Sequence, residues 1–329
     1  MKYRAIEKDM MEAFQEGDLK PLLKAVKMDD TLDLELRGDW VNIYYRGGSL
    51  FKVSSKNGKA PYKIYFNTKY CINDQYQLEE YPEVAKAVHD IPLYKQAMDW
   101  WIKKHPKYER EFQQVIVREN NNSGNISRGT DYYIIDIEYA NQITYKDGVA
   151  ELDEIEKAYA EDSVKLGSNK SKGARFDMVA VKWLSNGAVR KDLSKATLSL
   201  IEVKYGSGAM KGKSGVVDHL MDFREFLSDE KNWQKFCDDM TAVFKQKWRL
   251  GLMDGLKGTI DSDDVKISYD KPEVIFVFAN HDPESTILEN LWDSDEIRDE
   301  LDKSNFDVKI ANASSMGYCL YADKMEKKN

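Results

Sequence analysis

The stretch LSLIEVKYGSGAMKGKSGVVDHL, residues 198–220, decides the fold of this chain. Its first third is typical of a buried strand, a loop rich in glycine and lysine follows, and SGVVDHL begins a helix. Two features of this stretch carry candidate chemistry: the run GKS at 212–214 in the loop, and the pair Glu202 and Lys204 in the strand.

The composition restricts the class of protein before any motif is weighed. A chain of 329 residues, 42% hydrophobic and 32% charged, is long enough for two domains and is typical of a globular protein. Its net charge of −8 means that any contact with nucleic acid has to be a local basic patch. The three cysteines are far apart and form no Cys-x-x-Cys pair, which favours a reducing compartment over a disulfide framework or a zinc site.

The sequence shows no targeting or membrane segment. The amino-terminal residues MKYRAIEKDM are charged and do not resemble a signal peptide, and the longest apolar run is about as short as VIFVFA. We therefore expect a cytoplasmic protein without a membrane partner.

Residues 1–80 are predicted to form an N-terminal α+β unit whose role the sequence does not indicate. One or two short helices are expected within 3–27, with an interruption at Gly17. Three segments then alternate polar and apolar residues and are separated by Gly-Gly and Asn-Gly turns, which predicts an antiparallel meander. These segments are TLDLELRG, WVNIYYRGGSLFKVSS and APYKIYFNTKY.

Residues 81–329 are predicted to form an α/β domain. The order helix, three strands, helix, strand predicts a central mixed sheet flanked by helices. The predicted elements are a helix at about 106–119, strands near 131–141, 175–184 and 197–205, helices from 216 and over 231–250, a strand at 273–280, an acidic helix, and closing strands in NFDVKIAN and GYCLYAD.

The GKS run is a weak match to a phosphate-binding loop. A Walker A motif needs glycine five residues before the GK pair, because this glycine lets the backbone N–H groups surround the phosphates. Ser207 occupies that position here, and Gly206 and Gly208 each miss it by one residue. A P-loop that binds a nucleotide is therefore the less favoured hypothesis.

The strand carries the stronger signal. Period-two alternation puts Glu202 and Lys204 on one face and their apolar neighbours on the other. Upstream, RFDMVAV is a second apolar strand with Asp177 at its centre, and buried ionic groups are costly unless something compensates them. A simple ion pair between Lys204 and one acid is the structural alternative, but it leaves the second acid unexplained.

Asp177 in one strand followed by Glu202-Val203-Lys204 in the next resembles the PD-(D/E)XK nuclease superfamily, which has the restriction-endonuclease-like fold. The resemblance covers roughly the C-terminal three-quarters of the chain. One departure is Phe176, which stands where the family usually has proline. The resemblance implies a restriction-endonuclease-like core and a metal-dependent nuclease that acts on DNA more readily than on RNA.

The resemblance also implies roles for these residues. Asp177 and Glu202 would hold Mg²⁺ or Mn²⁺, with the backbone carbonyl of Val203 as a further ligand. Lys204 would remain protonated, orient the attacking water and stabilise the charge that develops.

Further acids are candidates for the same site. In the helix over 106–119, Glu111 is assigned to the buried stripe and Glu109 to the outside. Glu111 is thus predicted either as a third acid around the metal or as an ordinary helix glutamate. Asp136 and Glu138 share a strand face that either extends the acidic cleft or, as the favoured alternative, faces solvent.

Basic residues are predicted to contact phosphates around this cleft. The loops 165–175 and 205–215 adjoin the two site strands, so a polyanionic substrate is expected to contact their basic residues. The alternative is that both loops are ordinary flexible surface segments. His219 either meets a phosphate or is satisfied by packing on its helix. The predicted phosphate-binding residues are Lys172, Arg175, Lys211, Lys213 and His219.

A second hypothesis keeps the fold without the chemistry. It describes a catalytically inactive module of the same fold that binds nucleic acid or another partner. The sequence leaves open whether cleavage is specific, whether ends or interiors are cut, whether the enzyme is a homodimer, and whether it serves restriction, defence or repair.

Overall fold

The computed structural model describes residues 3–71, 76–122, 130–140, 175–192, 195–210, 215–254, 264–280, 286–312 and 325–328. These residues form a mixed α/β structure with two sheets and flanking helices, as predicted. Among them, no helix combines the length and the apolar character needed to cross a bilayer.

The N-terminal region confirms the predicted helices and meander. The two helices are α1 (Lys8–Gln15) and α2 (Lys20–Met28), on either side of Gly17. Four strands follow in the spatial order β1-β2-β3-β4, and all neighbours are antiparallel. Their bounds are β1 Leu32–Leu36, β2 Trp40–Tyr45, β3 Gly48–Lys56 and β4 Lys59–Tyr65.

Three helices lead into the second sheet, which is a five-stranded mixed sheet extended by a three-residue strand. The helices are α3 (Val84–His89), α4 (Ile91–Lys104) and α5 (Tyr108–Asn121). The strands are β5 Tyr132–Ala140, β6 Arg175–Lys182, β7 Thr197–Tyr205, β8 Glu273–Ala279, β9 Val308–Asn312 and β10 Glu326–Lys328. Their spatial order is β10-β9-β8-β7-β6-β5.

The connections explain why this sheet is mixed. β5, β6 and β7 are antiparallel neighbours, whereas β7, β8 and β9 are parallel, and parallel neighbours need a crossover on a face of the sheet. Helices α6 (Val216–Leu227) and α7 (Glu230–Leu250) lie between β7 and β8 in the chain. Helices α8 (Ile287–Trp292) and α9 (Asp295–Lys303) lie between β8 and β9, where one acidic helix was predicted. The predicted strand in GYCLYAD falls outside the described residues.

The sheet separates two apolar cores. β8 is buried along its whole length, because a central parallel strand is covered on both faces. A first core lies against α6 and α7 and includes Phe176, Phe223, Phe236 and Phe276. A second, smaller core lies against α5 and includes Phe112, Ile116, Met178, Ile201 and Val203.

The N-terminal region packs directly onto the second sheet and its helices. Residues of both regions belong to the first core, and buried polar contacts join them. The backbone N–H of Arg4 donates to both carboxylate oxygens of Asp239 in α7, at 3.0 and 2.8 Å. Lys247 lies 2.6 Å from Glu35 of β1. The division into two units at residue 80 stays a prediction.

This packing corrects one prediction from the sequence. Asp136 was expected on a solvated face, but it is buried and paired with both Arg37 and Arg4 of the N-terminal region. The guanidinium groups of these two arginines compensate the buried carboxylate. Both arginines are far from β5 in the sequence, so the alternation of residues in β5 could not predict this pairing.

Candidate metal site between two strands

The candidate site lies where β6 and β7 separate. Backbone pairing between these strands runs from Lys182↔Thr197 to Met178↔Ile201. Beyond that point, the N–H of Val203 donates to the side chain of Asp177, with 2.7 Å between N and Oδ2. We call this opening, bounded by residues 175–177 and 202–205, the fork.

The side chains of β6 stop alternating regularly between the two faces of the sheet at Asp177, and this places Asp177 at the fork. Phe176 belongs to the first core and Met178 to the second, although residues two apart in a regular strand share a face. The neighbouring strand β5 changes face at Glu138, whose φ of +52° is in the left-handed region. Because its neighbours lie on opposite faces, Asp177 points along the sheet toward Val203.

Glu202 and Lys204 lie on the face covered by α6. Regular alternation in β7 puts both side chains there, and they are only 3% and 4% exposed. Lys204 Nζ is 2.8 Å from Oε1 of Glu202. His219 of α6 reaches the same oxygen, with 2.9 Å between its Nε2 and Oε1. Glu202 is thus held between an ammonium and an imidazole.

The two carboxyl groups of the fork are in different electrostatic environments. Burial acts to raise the pKa of Glu202, but the hydrogen bonds and charges of His219 and Lys204 outweigh it, so this pKa is lowered. Burial also raises the pKa of Asp177, and the charges of Glu202, Glu138 and Glu109 raise it further, well above its ordinary value. The residue as a whole is half-buried, and burial is the largest cause of the raised pKa of its carboxyl group. Among the described residues, Asp177 is therefore influenced more by neighbouring carboxylates than by cations.

The acid that α5 contributes to the fork is Glu109. The N–H of Tyr205 donates to Oε2 of Glu109 across 3.4 Å. Burial raises the pKa of Glu109, against the charge of Lys204 and that hydrogen bond. Glu111 instead binds Arg46, with 2.8 Å between Oε1 and Nε. Glu111 therefore has the contacts of the second predicted alternative, an ordinary partly buried helix glutamate.

The stripe of α5 that the sequence pattern assigned to the core is offset from the face that is buried in the structure. Glu109 precedes Phe112 by three residues and Gln113 by four, and both of these are buried in α5. The buried face of α5 therefore carries three polar residues, Gln113, Asn120 and Asn121, and the half-buried Glu109 continues it toward the fork. A pattern search that treats glutamine and asparagine as surface residues misses it.

Glu138 extends the acidic cluster, whereas its neighbour Asp136 does not. Oε1 of Glu138 is 3.2 Å from Nε of Arg110 in α5, and its charge raises the pKa values of Asp177 and Glu109. A register shift precedes Asp136, and the left-handed backbone of Glu138 breaks the alternation between the two acids. Simple alternation in the sequence carries no signal for this.

The oxygens of the fork suit a hard divalent cation. Asp177 and Glu202 supply carboxylates, and the carbonyl of Val203 faces the fork because the N–H and C=O of one strand residue point to the same side. In the described residues, no group of three or more His, Cys, Asp or Glu side chains is placed to hold one ion. A site with two carboxylates and one carbonyl fits Mg²⁺ or Mn²⁺, which keep several water ligands.

The predicted phosphate-binding residues are only partly described. Arg175 is exposed at the start of β6, two residues before Asp177. His219 binds Glu202, as stated above, and this contact was not predicted. Lys172, Lys211 and Lys213 lie outside the described residues, and so does the GKS run.

Comparison with known proteins gives no match among family models, curated proteins or solved structures. Its function therefore has to be argued from the geometry of the fork.

Proposed function

We propose that this protein is a metal-dependent phosphodiesterase that cleaves nucleic acid, with DNA favoured over RNA, and that its core is restriction-endonuclease-like. The observation that carries the proposal is the hydrogen bond from Val203 to Asp177. It joins the two strands at the point where Glu202 and Lys204 project, so both acids and the amine lie at one fork. The order α5, β5, β6, β7, α6, α7, β8 contains the helix, three strands, helix and strand that the resemblance implies, with α7 in addition.

Each residue of the fork has a defined task in this proposal. Asp177, Glu202 and the carbonyl of Val203 would hold Mg²⁺ or Mn²⁺. The bound cation would polarise the phosphate and lower the pKa of a bound water. Lys204, fixed on Glu202, orients the attacking water and stabilises charge on the phosphoryl oxygens. His219 holds Glu202 from the side of α6.

The direct test is cleavage of plasmid, linear duplex, single-stranded DNA and RNA by the full chain, with Mg²⁺ or Mn²⁺ and with EDTA. Wild type should cut only with the cation, and Glu202→Gln should cut at least about a hundredfold more slowly. Asp307→Asn is the matched control, since Asp307-Val308-Lys309 is the same type of triplet in the same region of the chain, and Asp307 pairs with Lys327 at 2.7 Å. Cleavage at equal rates by wild type and Glu202→Gln, or no cleavage by wild type, would contradict the proposal.

A second candidate function is an inactive binding module. The observation in its favour is that Lys204 and His219 both occupy Oε1 of Glu202, so that this carboxylate is already compensated within the protein. This candidate predicts that nucleic acid binds without turnover. It also predicts the same affinity for Mn²⁺ when Asp177 is replaced by asparagine.

A further inference from the structure

An exposed aromatic ring stands beside the fork. Tyr108, the first residue of α5, is 59% exposed, and it directly precedes Glu109, which bonds to the backbone of Tyr205. Single exposed tyrosines are common on protein surfaces, so it is the position of Tyr108 next to the fork that distinguishes it. The fork chemistry assigned above gives Tyr108 no role.

The ring is held rigidly rather than projecting freely. Tyr108 stacks on Tyr205, with 5.8 Å between ring centroids and an interplanar angle of 18°. Phe112, one turn along α5, also contacts Tyr205, with 5.9 Å between the ring centroids and an interplanar angle of 58°. Tyr205 in turn is two residues from Val203. The ring of Tyr108 is therefore fixed relative to the fork, and its exposure leaves aromatic surface open to solvent.

We infer that Tyr108 is a stacking platform for an unpaired nucleobase of the strand whose phosphate enters the fork. The inference rests on the proposed function and narrows its substrate class to single-stranded or locally unpaired nucleic acid. Bases inside a duplex have both faces covered by neighbours, whereas an unpaired base offers a free face. Stacking on an aromatic side chain accepts any base, so this contact selects strand state and not sequence.

The test is binding to a single-stranded oligonucleotide that carries 2-aminopurine, whose fluorescence falls on stacking, with an otherwise identical abasic strand and a blunt duplex for comparison. All proteins carry Asp177→Asn so that cleavage does not intervene. Tyr108→Leu should weaken binding of the base-bearing strand on the order of tenfold and remove its advantage over the abasic strand. Tyr108→Trp should keep both the affinity and the fluorescence change.

Tyr81→Leu is the matched control. Tyr81 is 58% exposed and contacts a second tyrosine, Tyr65, at 5.4 Å, but it lies in the segment before α3 and not in α5. This variant should bind all three probes like its parent.

Two outcomes would overturn the inference. In the first, Tyr108→Leu binds the base-bearing strand as tightly as Tyr81→Leu does. In the second, Tyr108→Leu lowers the affinity for the base-bearing strand and for the abasic strand by the same factor. Failure of the proposed function is separate from both. If wild type cuts no substrate but the preference for the base-bearing strand depends on Tyr108, the stacking platform stands and the nuclease does not.

Discussion

Two buried charge clusters lie at opposite ends of β7, and they differ in how far their negative charge is compensated. Near the start of β7, Glu273 of β8 forms ion pairs with Lys182 and Lys309, and each lysine Nζ is 2.8 Å from Oε2 of Glu273. The hydroxyl of Tyr132 donates a hydrogen bond to Oε1 of Glu273. At the other end is the fork, where the described residues place four acids (Glu109, Glu138, Asp177 and Glu202) near one another, and Lys204, His219 and Arg110 contact two of these acids. We call the first group the Glu273 cluster.

The pKa shifts express this difference. Burial acts to raise the pKa of Glu273, but the charges and hydrogen bonds of its two lysines and of Tyr132 lower it overall. For Asp177, burial and the neighbouring acids act in the same direction, and its pKa is raised. A compensated carboxylate stabilises the native state, whereas an uncompensated one costs stability and is retained where a function requires it.

The largest expected effect separates activity from stability at the fork. Asp177→Asn should reduce cleavage by at least about a hundredfold, because a ligand of the cation is lost. The free energy of unfolding at pH 7 should stay the same or increase, since the amide oxygen still accepts from Val203 and a poorly compensated charge is gone. Steady-state cleavage and urea unfolding of the same preparation measure the two quantities. A large loss of stability in this variant would show that Asp177 is structural.

The opposite pattern is expected at the Glu273 cluster. Glu273→Gln should lower the free energy of unfolding by about 2–4 kcal/mol, because Lys182 and Lys309 lose their shared carboxylate. Cleavage under folding conditions should match wild type. Loss of cleavage with unchanged stability would reverse the roles assigned to the two clusters.

The loss of unfolding free energy in Glu273→Gln should depend on pH, and the lowered pKa of Glu273 fixes the direction of that dependence. The pKa of Glu273 is lowered from its ordinary 4.5, so its contribution to stability is complete above that value and is lost as the pH falls through the lower, folded pKa. The difference in unfolding free energy between wild type and Glu273→Gln should therefore shrink below about pH 4.5. Urea unfolding at several pH values measures it, and a difference that grows in acid would contradict the assigned shift.

Much of the fold could be predicted from the sequence because its signals are local. The period-two pattern identified β1 to β4, apolar segments identified β5 to β8, and alternation in β7 put Glu202 and Lys204 on one face and Ile201 and Val203 on the other. Gly17 and the helical spacing of apolar residues gave the helices α1, α2, α6 and α7.

The missing parts of the site depend on non-local contacts. The burial of Asp136 requires Arg37 from the N-terminal region, and the role of Glu138 requires a register shift and a left-handed residue. Glu109 was assigned to the wrong side of α5, because the true stripe contains buried polar residues. No spacing rule in one strand or helix contains this information.

The charge excess at the fork should link cation binding to proton release. Because the pKa of Asp177 is raised, protons compete with the cation, so the affinity for Mn²⁺ should rise with pH over the range in which Asp177 titrates, by up to about tenfold per pH unit. Calorimetric titration in two buffers of different ionisation enthalpy should show proton release. Glu273→Gln should show the same pH dependence. Affinity independent of pH would contradict the raised pKa.

A smaller effect should distinguish the two glutamates of α5. Glu109→Gln keeps an acceptor for Tyr205 but removes negative charge near the fork, so Mn²⁺ affinity should fall by about tenfold. Glu111→Gln loses only the half-exposed pair with Arg46, which is worth about 1 kcal/mol or less, and should leave Mn²⁺ affinity unchanged. Equal effects of the two substitutions on Mn²⁺ affinity would show that Glu109 is no closer to the cation than Glu111.

The most direct measurement is binding of Mn²⁺, followed by electron paramagnetic resonance, to wild type, Asp177→Asn and Glu273→Gln. We expect one tight site in wild type, the same site in Glu273→Gln, and its loss in Asp177→Asn. Equal binding by wild type and Asp177→Asn would contradict the claim that the uncompensated charge of the fork is a cation site.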